Sequence, residues 1–337
     1  MNAPPHANFS SPAPTGPGPS RPGSPRVVVV GAAHIDRTGW LSAPSALGCS
    51  NPGRFEEMPG GTALNIARVA AQLCGDVDLI SLVGNDAAAE QLRQELIAHG
   101  ITAHLAGGGG GGGGETANTG TYTSIIEPDG SLLVALADMA IYENFSAAPV
   151  KPFFADLSPH DWLCVDTNLP PPQIDQLLAA SRAAKVGVTV SKAKAPNLLV
   201  YASQLDLIFT NRVEACSLCG IEPGHDVTIA DMANGLRQIC PASFVISNGP
   251  DSVTVLEGDS VTSISVSALS ADRQVTDVTG AGDALVGASL FALTHGANLV
   301  NAVQYGIEAA RATIQVKGAI CPDLAKRIGP FEHQSQV

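Results

Sequence analysis

The stretch RVVVVGAAHID, residues 26–36, sets the architecture of this chain. Its uninterrupted β-branched run, Val27 to Val30, is typical of a strand that is buried on both faces in a parallel sheet. The segment PGGTALNIARVAAQLCG, 59–75, predicts a glycine turn and an amphipathic helix, and VDLISLVGND, 77–86, predicts a second buried strand. Because strand and helix alternate, we predict an α/β fold with a doubly wound, mostly parallel sheet flanked by helices.

The same alternation continues toward the end of the chain. Helices are predicted over 173–184 and 214–220, and two long helices are predicted to begin at Gly280 and Asn298. Further strands are predicted at WLCVDTNL (162–169), VGVTVS (186–191), LDLIFTN (205–211), SFVISNG (243–249) and SVTVLEG (252–258). No repeat of fixed period is visible, which excludes solenoids and propellers.

One segment interrupts the alternation. TGTYTSIIEPDGSLLVALADM, 119–139, contains two strand-like runs around the β-turn signature PDG at 128–130. Such a hairpin needs a surface to pack against, and the ends of the parallel strands offer one. We therefore predict a small β lid built from about 35–57 and 116–140.

Two segments stand apart from the predicted domain, which covers residues 27–325. Residues 1–26 hold eight of the 24 prolines and no apolar core, so they predict a disordered leader. The glycine run 107–114 predicts a flexible loop, because glycine loses the most backbone entropy when it is ordered. Neither segment is assigned any chemistry.

The charge balance narrows the set of partners. A net charge of −13 and an isoelectric point near 4.9, with no basic block, argue against binding nucleic acid or a membrane surface. Seven scattered cysteines favour reduced thiols, and no stretch is long and apolar enough to span a membrane, so we predict a cytoplasmic protein. Any phosphate group must then be bound locally, by amides, a metal ion or single cations.

The stretch TDVTGAGDALVGASL, 276–290, carries the predicted chemistry. Gly280, Ala281 and Gly282 precede Asp283 at the start of a helix, where main-chain N–H groups can hold an anion at the positive end of the helix dipole. Asp283 then lies where a general base stands beside a phosphoryl acceptor. With an ordinary pKa of about 4, it takes the proton late in the transfer. The alternative is that Asp283 only caps the helix.

In combination, VTDVTGAGDALVGA (275–288) and GGTALNIA (60–67) resemble the two signature regions of the ribokinase-like (PfkB) carbohydrate and nucleoside kinases. The resemblance runs from about residue 27 to 320 in the expected order. It implies a ribokinase-like fold, ATP and Mg²⁺ as cofactors, and a small-molecule sugar or nucleoside as acceptor. It also implies that Asp283 is the base and that the amides of residues 280–282 hold the transferring phosphoryl group.

The resemblance further implies the contacts of the sugar. Gly60, Gly61 and Asn65 of the first signature would hold ribose hydroxyls. Asp36, at the end of GAAHID, would accept hydrogen bonds from a diol with both carboxylate oxygens. His34 stands where the family usually has Asn, and its role is open between a site residue and a core histidine.

Metal positions follow from the resemblance as well. NRVE at 211–214 matches the family's N-x-x-E, which implies that Asn211 and Glu214 position Mg²⁺, the glutamate through water. Asp277 and Thr279 match the D-x-T of a monovalent-cation site, which implies K⁺.

The nucleotide and acceptor contacts complete the set. Ser247 and Gly249 of SNGPDS match a nucleotide loop whose last glycine is Ser252 here. ALADMAIYENF (135–145) and VSKAKA (190–195) resemble the pseudouridine kinases of this family more than its ribokinases or adenosine kinases, as does NPG at 51–53. Transfer of the ATP γ-phosphoryl group to the 5'-hydroxyl of pseudouridine is thereby implied. The residues implied near its phosphates and nucleoside are Lys194, Asp138, Asn168 and Thr121.

Several alternatives stay open. The chain could be another PfkB-type kinase for ribose, fructose or adenosine, or a non-catalytic nucleoside sensor, although a sensor needs neither Asp283 nor Glu214. A dinucleotide-binding oxidoreductase is disfavoured, because GAAH after the first strand lacks the G-x-G-x-x-G fingerprint. The pseudouridine kinases commonly have Asp where this chain has Thr189, which affects that loop only. Family members often pair through the lid, so a homodimer is a further expectation.

Overall fold

The computed structural model describes residues 25–73, 75–107, 117–222, 227–269 and 274–331. Its strands are β1 Val27–Val30, β2 His34–Leu41, β3 Gly53–Gly60, β4 Val77–Val83, β5 Thr102–Gly107, β6 Thr121–Ile126, β7 Leu132–Asp138, β8 Trp162–Asp166, β9 Ala184–Val188, β10 Leu207–Asn211, β11 Ser243–Asn248, β12 Ser252–Glu257 and β13 Ser260–Ser265. Its α-helices are α1 Thr62–Gln72, α2 Ala87–Ala98, α3 Lys151–Ala155, α4 Pro171–Ala180, α5 Arg212–Leu218, α6 Ile229–Ile239, α7 Ala281–Thr294, α8 Leu299–Thr313 and α9 Leu324–Ile328.

A nine-stranded main sheet has the order β13-β12-β11-β10-β9-β8-β1-β4-β5. Its strands from β11 to β5 run parallel to one another, and β12 and β13 are antiparallel additions at one edge. The predicted α/β class with a mostly parallel sheet is therefore confirmed. The connection from β1 runs to one side through β4 and to the other through β8, so the carboxyl end of β1 lies where the strand order diverges, a common location for ligand sites.

The first strand shows why the sheet is buried on both faces. Val28 and Val30 pack into a core that contains side chains of α4, α5 and α6. Val27 and Val29 point the opposite way, into a second core with side chains of α1, α2, α7 and α8. Since successive residues of a strand face opposite sides, four consecutive valines fill two helix layers.

A separate small sheet, ordered β3-β2-β6-β7, stands beside the main sheet. β2 pairs antiparallel with β3 and parallel with β6, and β6 pairs antiparallel with β7. Every residue of β7 is exposed, and β7 is one of the two edge strands of this sheet. The chain passes from β1 of the main sheet into the small sheet at His34, and it leaves the small sheet at Gly60 before α1. Both residues therefore lie at the junction of the two sheets.

Some element boundaries differ from the sequence expectation. The helix predicted over 173–184 ends at Ala180, because Ala184 pairs with Trp162 and starts β9. Sheet pairing here overrides the helix preference of the intervening alanines. Strand β13 and helix α6 were not predicted. The leader at 1–24 and glycines 108–114 lie outside the described residues, while Gly107 ends β5. None of the helices in the described ranges is long and apolar enough to cross a membrane.

Candidate active site

Asp283 lies in the first turn of α7, three residues after Gly280, a glycine that the backbone conformation requires. Gly280 precedes the helix with φ 75°, a left-handed conformation that favours glycine. A Cβ atom there would stand 2.2 Å from the Ala319 carbonyl oxygen. Gly282, in contrast, has no neighbouring atom within 4 Å of where a Cβ would be, so this residue faces open space.

The N-terminus of α7 presents main-chain donors. The N–H groups of Gly280, Gly282 and Asp283 have no acceptor within the described part of the chain. The N–H group of Ala281 is different, because it donates to the Val278 carbonyl at 3.3 Å in a turn. The positive end of the helix dipole adds to these donors, so the helix start is suited to a negatively charged group.

The Asp283 carboxyl group is half-buried at the helix start, and this burial changes its acidity. Burial raises the pKa of Asp283 to about 7, although a hydrogen bond from Asn65 Nδ2 at 2.8 Å acts to lower it. Three further carboxylates raise the pKa as well, those of Asp166, Asp36 and Glu214. The ordinary acidity expected from sequence is therefore wrong, first because burial disfavours the charged carboxylate and second because other acids lie around it.

Asp36 and two glycines form a compact group at the junction of the sheets. Asp36 Oδ1 lies 3.1 Å from His34 Nε2. Asp36 Oδ2 lies so close to Gly60 that a Cβ atom there would be 2.0 Å away. Gly61 has φ 109° and would clash with the Ala32 carbonyl if it carried a side chain. One oxygen of Asp36 is thus in contact with His34, and the predicted pairing of both oxygens with a diol stays a prediction, because each carboxylate oxygen can accept more than one hydrogen bond.

Glu214 is buried at the start of α5. Asn211 and Glu214 form a capping box, in which Asn211 Oδ1 accepts from the Glu214 N–H at 2.9 Å and the glutamate accepts from the Asn211 N–H at 3.2 Å. Glu214 Oε2 also accepts from the Thr189 hydroxyl. The N-x-x-E spacing therefore creates both a helix cap and an oriented, buried carboxylate.

Two adjacent cavities open at the start of α7. The smaller cavity, about 180 Å³, contacts Asp283, Glu214, Asn211, Thr189 and Thr62. The larger cavity, about 670 Å³, is lined by Gly249 and Arg311 and by apolar side chains that include Val253, Val278, Ile307, Ala310 and Ile314. Ser247, Gly282 and Leu285 line both cavities. The two spaces therefore meet beside the main-chain donors of α7.

Asp277 and Thr279 brace the loop before α7. Asp277 Oδ1 accepts from the Thr279 N–H and hydroxyl at 2.9 and 2.7 Å, and its other oxygen accepts from the Gly318 N–H at 3.0 Å. Burial acts to raise the pKa of Asp277, but these hydrogen bonds and the charge of Lys317 lower it overall. Lys317 also reaches Glu56 of the small sheet at 2.5 Å.

Lys194 lies beside Asn168 rather than in either cavity. Its Nζ atom donates to Asn168 Oδ1 at 2.7 Å. Asp166, at the end of β8, accepts from the N–H groups of Ala32 and Asn168 at 2.9 and 2.8 Å. Burial raises the pKa of Asp166, and the charge of Lys194 acts to lower it. Lys194 therefore lies near the carboxyl ends of β1 and β8, the β1–β8 side of the site. The sequence analysis had instead predicted a position near the phosphates.

Two predicted acceptor contacts, Thr121 and Asp138, lie on a different face of the small sheet from Asp36. They pair with one another and with Ile35 in the small sheet. Asp36 pairs instead with Tyr122, one residue along. Since opposed residues share a face and successive residues alternate, Thr121 and Asp138 lie on the face opposite Asp36.

Two buried residues of the site were missed by the sequence argument. Asp166 ends a buried strand, and the acid that closes WLCVD was a readable signal. Thr189 was noted only as a departure from the pseudouridine kinases, and its contact with Glu214, 25 residues away in sequence, was not predicted. No group of three or more His, Cys, Asp or Glu side chains in the described ranges is arranged to hold a metal ion.

This arrangement of glycines, acids and paired cavities has a counterpart in a known family. Residues 24–326 match the model of the pfkB family of carbohydrate kinases. The chain belongs to this family. Membership makes the protein a phosphotransferase that acts on a small molecule and uses ATP.

Individual members share the fold across nearly the whole chain. This pfkB family member is 27% identical to pseudouridine kinase of Escherichia coli over 89% of its own length and 93% of the relative. A carbohydrate kinase from Agrobacterium tumefaciens is 28% identical, with a TM-score of 0.75 over 91% of this chain and 97% of the other. A ribokinase from Thermotoga maritima has a TM-score of 0.76 over 90% and 99% of the two chains at 17% identity, which shows a ribokinase-like fold.

Proposed function

We propose that this kinase transfers the γ-phosphoryl group of ATP to the 5'-hydroxyl of pseudouridine. The observation that carries phosphoryl transfer is the half-buried Asp283 carboxyl group, which lines the smaller cavity directly after main-chain donors that have no acceptor in the described ranges. Similarity to the pseudouridine kinase of Escherichia coli over nearly the full length supports the choice of acceptor. A catalytic carboxylate at this place argues against a purely nucleoside-sensing protein.

Asp283 acts as the base for the acceptor hydroxyl. With a pKa of about 7, it is a closer match to neutral pH than an exposed aspartate and holds a proton more strongly. In a loose phosphoryl-transfer transition state the hydroxyl proton becomes acidic as its oxygen bonds to phosphorus. Asn65, which donates to Asp283 Oδ2, fixes the direction in which the carboxylate faces the incoming oxygen.

The start of α7 holds the transferring group. The N–H groups of Gly280, Gly282 and Asp283 lack other acceptors in the described ranges, and Gly282 lines both cavities. We correct the set of predicted donors here, since the N–H group of Ala281 is engaged in a turn. The larger, mostly apolar cavity, with Ser247 and Gly249 at its edge, then accommodates the adenosine part of ATP.

Magnesium fits this site as an ion held chiefly by phosphates and water. Glu214 is buried, oriented by Thr189 and lines the smaller cavity, so it is placed to hold a water of the ion. The concentration of acids around Asp283 also favours a cation. Bound Mg²⁺ would neutralise phosphate charge during transfer. Asp277 and Thr279 remain the predicted residues for K⁺, in a loop that contacts the start of α7.

The acceptor lies on the β1–β8 side. Asp36 Oδ2 and Asn65 Oδ1 are acceptors for ribose hydroxyls, and Asn65 Oδ1 is buried without a partner within the described residues. Gly60 and Gly61 let the sugar approach the backbone. Lys194 and Asn168 offer donors to the carbonyl groups of the base.

A phosphorylation panel tests the proposal. Wild-type enzyme with ATP and Mg²⁺ is compared on pseudouridine, uridine, ribose, fructose and adenosine, with uridine as the isomer that lacks the free N1–H of the base. Pseudouridine should show the highest kcat/KM. Higher kcat/KM for ribose or adenosine would assign another acceptor within the family, and tight binding without turnover of any acceptor would favour the sensor.

We also propose that two copies pair through the small sheet. The face opposite Asp36 exposes Phe55, Val134 and Leu136 at 61%, 56% and 69%, and opposed residues on β3 and β7 share this face. A second copy would cover these apolar side chains. Leu136→Lys should convert a dimer to a monomer in light scattering. We also propose that the protein acts in the cytoplasm, where ATP is supplied.

A further inference from the structure

Two cations contact the same pair of residues on the small sheet. Lys317 Nζ lies 2.5 Å from Glu56 Oε2 and 5.7 Å from the centre of the Trp40 ring. Arg54 Nε lies 3.5 Å from Glu56 Oε1, and its Cζ atom lies 5.7 Å from the centre of the same ring. Arg54 belongs to β3, whereas Lys317 comes from the loop after α8, so of these two cations only the lysine joins the small sheet to the rest of the domain.

Lys317 contacts the face of the small sheet that also carries Asp36. Asp36 and Trp40 are four residues apart on β2, and since side chains alternate along a strand, both lie on one face. Glu56 on β3 is opposite Thr38, which lies between them on the same face, and opposed residues share a face. Lys317 therefore holds the face that is proposed to contact the acceptor.

The loop that carries Lys317 also braces the start of α7. The next residue, Gly318, donates its N–H to Asp277 Oδ2 at 3.0 Å. The carbonyl oxygen of Ala319 lies 2.2 Å from the place that a Cβ atom on Gly280 would take. The three consecutive residues 317–319 thus connect the small sheet with the loop before α7 and with the helix start.

The two reacting groups are held by different parts of the fold. In the proposed function Asp36 of the small sheet contacts the acceptor, and the start of α7 holds the transferring phosphoryl group. A misplacement of about 1 Å between reacting groups can lower a rate on the order of 100-fold. The position of the small sheet relative to the start of α7 therefore affects the rate of transfer.

We infer that Lys317 is a positioning residue that aligns the acceptor with the transferring phosphoryl group, by fixing the small sheet against the loop that braces the start of α7. This inference rests on the proposed function. Lys317 acts through Glu56 and Trp40, and it lines neither of the two cavities at the helix start. It therefore affects the rate of transfer and leaves the affinity for each substrate nearly unchanged.

Three substitutions isolate this contact. Lys317→Met keeps the length of the side chain and removes the charge that contacts Glu56 and Trp40. Lys317→Arg is the conservative variant, because it retains a cation that can pair with the carboxylate and lie over the ring. Arg54→Met is the matched control, because it removes a cation from the same two partners without cutting the connection to residues 317–319. The Lys317 side chain is 56% exposed, so these variants should fold, which urea unfolding checks.

The readouts are kcat for pseudouridine, the Kd of pseudouridine and of a non-hydrolysable ATP analogue by calorimetry, and the rate of ATP hydrolysis without acceptor. Because a partly exposed ion pair contributes modestly, we expect Lys317→Met to lower kcat roughly 3- to 10-fold, with both Kd values within about twofold of wild type. Lys317→Arg should restore most of kcat, and Arg54→Met should retain it. ATP hydrolysis without acceptor should be unchanged in all three variants, since attack by water needs no contact with the small sheet.

Three results would overturn the inference. The first is a kcat of Lys317→Met within about twofold of wild type. The second is an equal loss of kcat in Arg54→Met, which would assign the effect to the charge of the small sheet. The third is a higher Kd for pseudouridine with kcat unchanged, because Lys317 would then contribute to binding and not to alignment.

Glu56→Gln tests whether the lysine acts through its partner. It should lower kcat by no more than Lys317→Met does, and the double variant should lose little more than Lys317→Met, because both changes break one contact. Fully additive losses would contradict the inference. If wild type phosphorylates ribose and not pseudouridine, the proposed acceptor fails, and the same variants are then compared on ribose. If no acceptor is phosphorylated, both proposals fall.

Discussion

The acceptor side and the nucleotide side of the site differ in the polarity of the residues that line them. On the acceptor side the side chains are polar: His34 and Asp36 are half-buried and contact one another, and the buried Asn65 donates to Asp283 and keeps one unpaired oxygen within the described residues. On the nucleotide side, the cavity of about 670 Å³ is lined mainly by Val, Leu, Ile and Ala. Asp283 and the start of α7 separate these two regions.

This contrast indicates where selectivity lies. An unpaired buried polar atom discriminates strongly between ligands, because a ligand that lacks the matching group leaves it unsatisfied. An apolar cavity accepts a planar base with less discrimination. We therefore expect the acceptor side to choose the substrate and the start of α7 to supply the chemistry common to the family.

Replacing the base should give the largest effect and tests the boundary between the two sides. Asp283→Asn keeps the size of the side chain and an oxygen that can accept from Asn65, but it removes the base. We expect kcat to fall on the order of 10² to 10⁴, with Kd for both substrates nearly unchanged. Steady-state kinetics and calorimetry check this result.

The pH profile supplies the control for that variant. Wild-type kcat/KM should rise with pH through about 7 as Asp283 loses its proton, and the residual activity of the variant should lack this rise. Equal turnover by both proteins would reduce Asp283 to a helix-capping residue.

The Asp283→Asn substitution should also stabilise the folded protein, because burial disfavours the charged form of Asp283. Its pKa is about 7 in the folded protein and 3.8 without burial. Below about pH 4 the group is neutral in both states, so stability is unaffected. Between about 4 and 7 the unfolded chain loses the proton first, so the unfolding free energy of wild type falls as pH rises.

Above pH 7 the difference in unfolding free energy between Asp283→Asn and wild type becomes constant. Since a pKa difference of about 3 corresponds to about 4 kcal/mol, Asp283→Asn should exceed wild type in unfolding free energy by up to about 4 kcal/mol at pH 8. Urea unfolding of both proteins at pH 4, 6 and 8 measures the gap. A gap that stays the same at all three values would show that burial does not penalise this carboxylate.

Alanine substitutions of Gly280 and Gly282 should have different effects, the first on stability and the second on activity. Gly280→Ala forces a methyl group against the Ala319 carbonyl at a positive φ, and we expect it to cost about 3 kcal/mol of unfolding free energy. Gly282→Ala meets open space within a helix, so it should be neutral or stabilising by up to about 1 kcal/mol. Its methyl group extends toward both cavities, and we expect kcat to fall about tenfold. Thermal unfolding and kinetics of the pair check this, and parallel losses of stability would contradict it.

The fold was predictable where one local pattern decides it. Val27 to Val30 alternate between two cores, and four consecutive β-branched residues favour a strand that is buried on both faces. The end of α4 was not predictable, because it depends on the pairing of Ala184 with Trp162 in a neighbouring strand. Local preference fails where tertiary pairing competes with it.

The site divides in the same way. The neighbours in GAGD could be read as one unit because their chemistry is local to a helix start. The faces of Thr121 and Asp138 depend on strand register, which a single strand does not encode. The acidity of Asp283 depends first on its burial by the tertiary fold and then on acids brought from distant segments, so no local motif could reveal it.

The smallest expected effect tests whether the two sides act independently. Ala310→Leu narrows the apolar cavity, and we expect KM for ATP to rise about tenfold with KM for pseudouridine unchanged. Asn168→Ala is the matched variant on the other side, where it removes the partner of Lys194. It should raise KM for pseudouridine about tenfold and leave KM for ATP unchanged. Should either variant raise both KM values equally, the cavities are coupled through the start of α7, and the separation of selectivity from chemistry fails.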